Sequence, residues 1–378
     1  MKSVKVLHCA DLHIGAAESS LGAKAQSRRA ETLITFEKII NTAKENAVDI
    51  LLIAGDLFNS NNIEKSFIDR AFECFSEIPD VKIVFSAGNH DPLNADSPFK
   101  KYKQDLPQNL FVLDTKECFA EFSELNTRVY GKSFKEVYMR GCDNSSFTTD
   151  PDFINIMCIH GELRSDLNSD YNSITNNFIE TSGMDYIALG HIHKRTEIEK
   201  KGNTYYAYCG CPEGQGFDEL GEKGVYMGTV SKEKCEMQFI ATAKRMHIAE
   251  NIDISGLNSA NEISNLITET LKQKYGEQFG ENLYKIILTG YIDESADISL
   301  PEITSRINEV LYFAKVKDKT EIKADFNELA KEQSLKGIFV KNMLLKIENS
   351  YGEEKELLKS ALNIGLKAFS GEVVYDED

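Results

Sequence analysis

The chain has 378 residues, enough for two or three domains with full-sized cores, and its 42% hydrophobic and 27% charged content is that of an ordinary globular protein. A formal net charge of −17 argues against strong unaided binding to phosphate backbones, which are usually met by a basic face, though a local basic strip is compatible with it. The opening "MKSVKVLHCADLHIG" lacks the charged-then-apolar layout of a signal peptide, no apolar run approaches membrane-spanning length, and the eight cysteines are scattered apart from Cys209 and Cys211; reduced thiols and a cytoplasmic location are expected.

Up to about residue 245, short apolar runs alternate with amphipathic stretches. "VKVLHCA" (4–10), "DILLIAG" (49–55), "KIVFSAG" (82–88), "INIMCIHG" (154–161) and "DYIALGH" (185–191) read as buried strands. Leu33, Phe36, Ile40, Ala43 and Ala47 recur at helical spacing between the first two, and Ile63, Phe67, Ala71 and Phe75 do so between the next two. From about 246 the texture changes. "HIAENIDIS", a helix near 259–275, "LYKIILTGYI", a helix near 300–313 and "AKVKDKTEIK" predict a small βαβαβ domain. The last fifty residues read as two helices broken at Ser350-Tyr351-Gly352. Val340, Met343, Leu344 and Ile347 form an apolar stripe on one, and Leu358, Ala361, Leu362 and Phe369 on the other.

Chemistry-bearing residues stand where the early strands end. The strands run into Asp11-Leu12-His13, Gly55-Asp56, Gly88-Asn89-His90-Asp91, His160-Gly161-Glu162 and Gly190-His191-Ile192-His193. Five of the seven histidines lie there, and in open α/β sheets sites form beyond the strands' carboxyl ends. A lone D-x-H is mostly a surface accident and a lone G-N-H-D mostly a turn; five such endings in order point to a metal centre. Asp, Asn and His without cysteine make a borderline-hard ligand set, suited to Mn, Fe or Zn. The donors outnumber the three or four that one ion needs, so two ions fit better. A carboxylate bridging two ions about 3.5–4 Å apart is the usual arrangement for phosphoester hydrolysis. His8 lies inside a strand and reads as a core or supporting group, and His247 carries no signal. Arg28 and Arg29, with Lys100, Lys101 and Lys103, are candidate phosphate contacts, with solvated surface at least as good a reading.

The order D-x-H, G-D, G-N-H-D, H-G, G-H-x-H resembles the calcineurin-like metallophosphoesterase superfamily over about 1–245. "CADLHIG", "GDLF" and "GFDELGEKGVY" resemble its DNA-repair exonuclease branch, the bacterial SbcD and YhaO type. The resemblance implies an α/β (α+β) fold: a four-layer β-sandwich flanked by helices (1–245), a small βαβαβ capping domain (246–325) and a helical, partner-binding tail (326–378). It implies that Asp11, His13, Asp56 and His193 hold one divalent ion, with Asp56 bridging to a second completed by Asn89, His160 and His191. His90 would face the scissile phosphate and protonate the leaving oxygen. Mn is the ion expected first, with Fe or Zn next.

The same resemblance implies a nuclease acting on DNA with an SMC-like coiled-coil ATPase of the SbcC type, docked through the tail, with a homodimer a further implied assembly and no membrane. Many superfamily members carry Asp or His three residues after the bridging Asp. Here that position is Asn59, which accepts a hydrogen bond but cannot stabilise an imidazolium by charge. The acidic balance leaves two other readings open: a phosphoesterase for a small phosphodiester or a phosphoprotein, and a weakly catalytic scaffold that recruits the ATPase.

Overall fold

The computed structural model describes residues 2–114, 118–141, 144, 147–293 and 298–369. The chain forms two compact units, residues 1–246 and 247–378.

In chain order the strands of the first unit are β1 (Val4–Cys9), β2 (Ile50–Ile53), β3 (Lys82–Phe85), β4 (Leu110–Val112), β5 (Phe119–Phe122), β6 (Thr127–Tyr130) and β7 (Ile154–His160). They continue as β8 (Glu162–Arg164), β9 (Ser173–Thr175), β10 (Tyr186–Gly190), β11 (Glu199–Lys201), β12 (Thr204–Tyr208), β13 (Gly224–Val230) and β14 (Cys235–Ala241). Its helices are α1 (Ala25–Glu45), α2 (Lys65–Ser76), α3 (Pro98–Lys101) and α4 (Asn176–Thr181). One sheet has the order β14-β13-β1-β2-β3-β4 and the other β11-β12-β10-β7-β6-β5. β1 to β4 are parallel in the first, and β6, β7, β10 and β12 in the second.

The central strands are continuously apolar because both faces of each sheet are covered. Val6, Ile50, Val84, Ile156 and Ala188 pack between the sheets. Phe36, Ile40 and Phe75 of α1 and α2 cover the outer face of the first, against Leu7, Leu51 and Ile83. Phe178 and Ile179 of α4 cover the second, against Met157 and Ile187. Four layers result. Each such side chain is worth roughly 1.5–3 kcal/mol when fully buried. Ala47 belongs to none of them: it lies past the end of α1, at φ 46. His8 joins the sheets. The Leu189 carbonyl can only accept, so Nε2–H donates to it at 3.1 Å and Nδ1 accepts from the Tyr186 hydroxyl at 2.8 Å.

The second unit holds β15 (His247–Asp253), α5 (Ala260–Tyr275), β16 (Leu283–Thr289), β17 (Tyr291–Ile292), α6 (Leu300–Ile307), β18 (Phe313–Asp318) and β19 (Glu321–Ile322). α7 (Phe326–Leu329), α8 (Leu335–Glu348) and α9 (Gly352–Phe369) follow. β15, β16 and β18 form a parallel sheet with helical crossovers. Ser259 caps α5 reciprocally: its hydroxyl accepts from Glu262 N and donates to the Glu262 carboxylate. α6 ends at Ile307, earlier than the spacing predicts, because the Asn308 side chain pairs with both backbone groups of Ala314 and turns the chain into β18.

α8 and α9 form a hairpin broken at Ser350–Gly352, as the sequence predicts; residues 370–378 of the tail lie outside the described residues. Gly365 gives the Phe339 ring room, since a Cβ there would come within 2.2 Å of it. The face turned inward carries Val340, Met343, Leu362 and Leu366. Asn363 ties α9 to its own unit, accepting from Ile322 N at 3.0 Å and donating to the Thr320 carbonyl at 2.7 Å. Of the predicted stripes only Phe369 is among the exposed large apolar residues; the others are Leu335, Ile338 and Leu345 on α8 and Leu357 and Ile364 on α9. Apolar residues surround α8, so periodicity alone cannot tell its two faces apart. Among the described residues no helix is long and apolar enough to cross a membrane.

Candidate metal centre

The sheets deliver their parallel strands' carboxyl ends to one edge, and the backbone there is strained. Asp11, His13, Asp56 and His191 all have left-handed φ, at 52°, 44°, 51° and 101°. Each such residue costs on the order of 1–3 kcal/mol and persists only where its surroundings over-determine it. Here Asp11 N donates to Gly55 O, His13 N to Asp56 O and Ile14 N to Leu57 O, lacing the exit of β1 to that of β2. Gly55 is required by close approach: a Cβ would lie 2.3 Å from His160 Nδ1.

Two groups of donors converge around Asp56. His13 Nε2 and His193 Nε2 are 3.1 Å apart, with Asp11 joining them in one cluster. On the other side Asn89 Oδ1 lies 3.0 Å from His160 Nε2 and 3.2 Å from His191 Nδ1. Asp56 Oδ2 stands between, 3.8 Å from His13 Nε2 and 3.3 Å from His160 Nε2. All seven residues named from the sequence are therefore brought together. Crowded lone pairs on buried nitrogen and oxygen, with carboxylates of little exposure, are a donor set that fits divalent cations.

Electrostatics agree. Burial raises the Asp11 carboxyl to about 6, and the histidines and the His191 N–H only partly offset it. Burial would raise Asp56 as well, but His160 and His13 pull it below the ordinary carboxylate range. Burial lowers His13 to about 3 and His191 to about 4, leaving both neutral as ligation requires. Burial opposes the charge on His160, but Asp56 overrides it and raises the group to about 9. A cation between them would compete for that proton's site.

His90 is exposed, its ring edge-on to His13 with centroids 4.6 Å apart. Its backbone N–H donates to Asp56 Oδ1 at 2.8 Å, and its Nδ1 lies 3.2 Å from the main-chain carbonyl of Asn59. The Asn59 contact is thus made by backbone, not by the side chain on which the sequence argument turned. His13, Asp56 and His90 also sit close enough to share an ion. Asp91 holds the turn, accepting from Phe58 N at 3.1 Å and Gly88 N at 2.9 Å, and burial with the Asp56 charge raises it to about 7.

Arg28 is not a phosphate contact. It is buried against Glu31, Glu213 and the Gly214 carbonyl. Arg29 bonds Glu64 and the Gly15 carbonyl. Glu162 Oε1 lies 3.6 Å from His191 Nε2. Sequence reasoning missed Glu219, which bonds His193 Nδ1; it lies inside "GFDELGEKGVY", where only its place beside the G-H-x-H ending in space marks it.

Residues 4–195 match the calcineurin-like phosphoesterase family. The chain belongs to that family. It is a metal-dependent phosphoesterase by that membership, and its strand-end cluster supplies donors for the metal. The uncharacterized metallophosphoesterase YhaO of Bacillus subtilis (strain 168) is 26% identical to it over 284 residues, 71% of this chain and 67% of that protein. The DNA double-strand break repair protein Mre11 of Methanopyrus kandleri is 28% identical over 239 residues, 59% of this chain and 52% of that one. Mre11 of Methanococcus maripaludis is 22% identical over 382 residues, 94% and 96% of the two chains. The match spans only about half of the Methanopyrus protein's length, and the relatives' names support the DNA-repair exonuclease branch of the family.

Proposed function

We propose that this phosphoesterase is a two-metal phosphodiesterase that cuts DNA as the nuclease subunit of a repair complex. The observation that carries the two-ion reading is the place of Asp56 Oδ2 between two donor groups. Asp11, His13, His193 and Asp56 hold one ion; Asp56, Asn89, His160 and His191 hold the other. Divalent ions there, Mn before Fe or Zn, supply an activated water and hold the phosphoryl oxygens. The chain's own residues do the rest. Asp91 fixes the Gly88–His90 turn, so that Asn89 and His90 keep their places when substrate binds. An imidazolium at His90, its Nδ1–H donated to the Asn59 carbonyl, presents Nε2–H to the leaving oxygen and becomes neutral when that proton is given up.

The exposed apolar face of α8 and α9 docks an SMC-like coiled-coil ATPase, which supplies most of the DNA grip that a chain of net charge −17 lacks. A homodimer completes the assembly, which works in the cytoplasm. The Mre11 relatives' name, DNA double-strand break repair protein, supports DNA as the substrate. The acidic balance favours the other reading, a small phosphodiester or a phosphoprotein as substrate.

Hydrolysis of bis-p-nitrophenyl phosphate measured beside linear double-stranded DNA, with added Mn and with the co-purified untagged partner, separates the readings. Cleavage of both substrates, with DNA cleavage stimulated by the partner, is the expected result. Cleavage of the small diester alone supports the small-substrate reading. Cleavage of neither, with the partner still bound, leaves a scaffold.

A further inference from the structure

The four histidines of the cluster differ in what holds the ring nitrogen turned away from the donor groups, and His13 Nδ1 is buried with no hydrogen-bond partner among the described residues. For His160 it is a neutral carbonyl, Ala54 O, at 2.9 Å from Nδ1. For His191 it is Glu162, 3.6 Å from Nε2. For His193 it is Glu219, whose Oε1 is hydrogen-bonded to Nδ1 while Nε2 faces His13. A carboxylate accepting Nδ1–H fixes the tautomer, points the Nε2 lone pair at the ion and raises its basicity.

Glu219 is itself held. Its Oε2 accepts from Gln215 N at 2.7 Å and from the Cys211 thiol at 3.4 Å, and its own N–H donates to Gly216 O. Cys211 N donates to the His193 carbonyl at 3.2 Å, so the loop grips the histidine at main chain and ring. Upstream, Glu213 anchors the loop on α1 through Arg28 and Thr35 Oγ1, and Arg28 also takes the Gly214 carbonyl. His193 needs this more than its neighbours do, because it is the least buried of the four rings.

We infer that Glu219 is the positioning residue of the first-ion half of the centre: it orients His193 and sets the affinity of that one ion. The inference rests on the two-ion reading above. It makes the two halves distinguishable, since the outward nitrogens of His160 and His191 meet Ala54 O and Glu162 in place of Glu219.

The test is Mn(II) binding to metal-stripped protein, by calorimetry and by electron paramagnetic resonance, for wild type, Glu219→Ala and Glu219→Gln, with the melting temperature of each stripped protein. Wild type takes up two ions per chain. Glu219→Ala weakens one of them by about 10–100-fold, the usual worth of such a partner, and leaves the other and the melting temperature near wild type. Glu219→Gln, whose Oε1 still accepts Nδ1–H, recovers most of the loss. Unchanged affinity for both ions in Glu219→Ala overturns the inference and leaves the two-ion reading standing. Equal weakening of both ions with a lower melting temperature overturns it too, making Glu219 a brace of the loop. A wild type that never takes up a second ion removes the reading and the inference together.

Discussion

The strand-end cluster of the first unit and the α8–α9 hairpin of the second are specified in opposite ways. The cluster gathers carboxylates, imidazoles and an amide, all but His191 and His193 buried, on backbone strained at four positions. Every donor there is set by residue identity at fixed spacing, and a neighbour's carbonyl or carboxylate holds most of them in place. The hairpin is built from interchangeable apolar residues, some turned inward and more left in water. A site made of scarce residues can be read from order alone, whereas a docking face made of common ones needs three dimensions to show which side is free.

If that contrast is right, single substitutions in the cluster change chemistry without unfolding it. Asp56→Ala is the harshest: it should abolish turnover and lower metal content by more than one ion per chain, because one oxygen stands close to both donor groups. Metal analysis of the purified variant checks this, and two retained ions would exclude a bridging role. His90→Ala comes next. Both ions should stay while turnover falls by a factor on the order of 10²–10⁴, the worth of a positioned acid. Because His90 is also close enough to share an ion with His13 and Asp56, loss of metal along with activity would reassign it as a ligand.

The strands carrying the cluster were legible because each is a short apolar run cut off by polar residues, and burial on both faces keeps that signal free of alternation. Layering and family followed from such endings, and the seven residues expected as donors do come together in space. What was not legible depended on distance through space. Arg28 looked like surface charge, yet it meets Glu213, 185 positions away. Asn59 looked like a side-chain question and proved to be a carbonyl. Glu219 lies in a stretch that carries the family resemblance, but nothing local marks it as the partner of His193. In the hairpin the predicted stripe included Val340, Met343 and Leu362, which are buried, while Ile338 and Ile364, outside it, face water.

That last difference gives a sharper test within the hairpin. Leu362→Ala removes a buried side chain and should cost about 2–5 kcal/mol of the second unit's stability. Ile364→Ala, two residues on and exposed, should stay within about 0.5 kcal/mol. Thermal or denaturant unfolding followed in the second unit compares them. Equal losses would mean that the exposed face is covered in the folded protein, and the contrast between the two regions would fail.

The smallest effect separates the regions by pH. Among the described residues α8 and α9 contain no histidine, whereas the first unit buries His8 completely between its sheets. Burial lowers His8 to about 3, and the Leu189 carbonyl offsets this only in part. An unfolded histidine titrates near 6.5, so between about 6.5 and 3 the unfolded chain binds the extra proton. Stability from this group is therefore whole above about 6.5 and is lost as pH falls. The loss is on the order of 2 kcal/mol between pH 7 and 5, at about 1.4 kcal/mol per unit of pH below 6.5. Asp91 and Asp11, raised by burial to about 7 and about 6, push the other way over part of the same range. Wild type must therefore be compared with His8→Gln, whose amide can still serve Tyr186 and Leu189. In metal-stripped protein, urea midpoints of the first unit should converge between the two as pH drops from 7 to 5. A constant gap across that range would mean that His8 takes up its proton without unfolding the sheets around it.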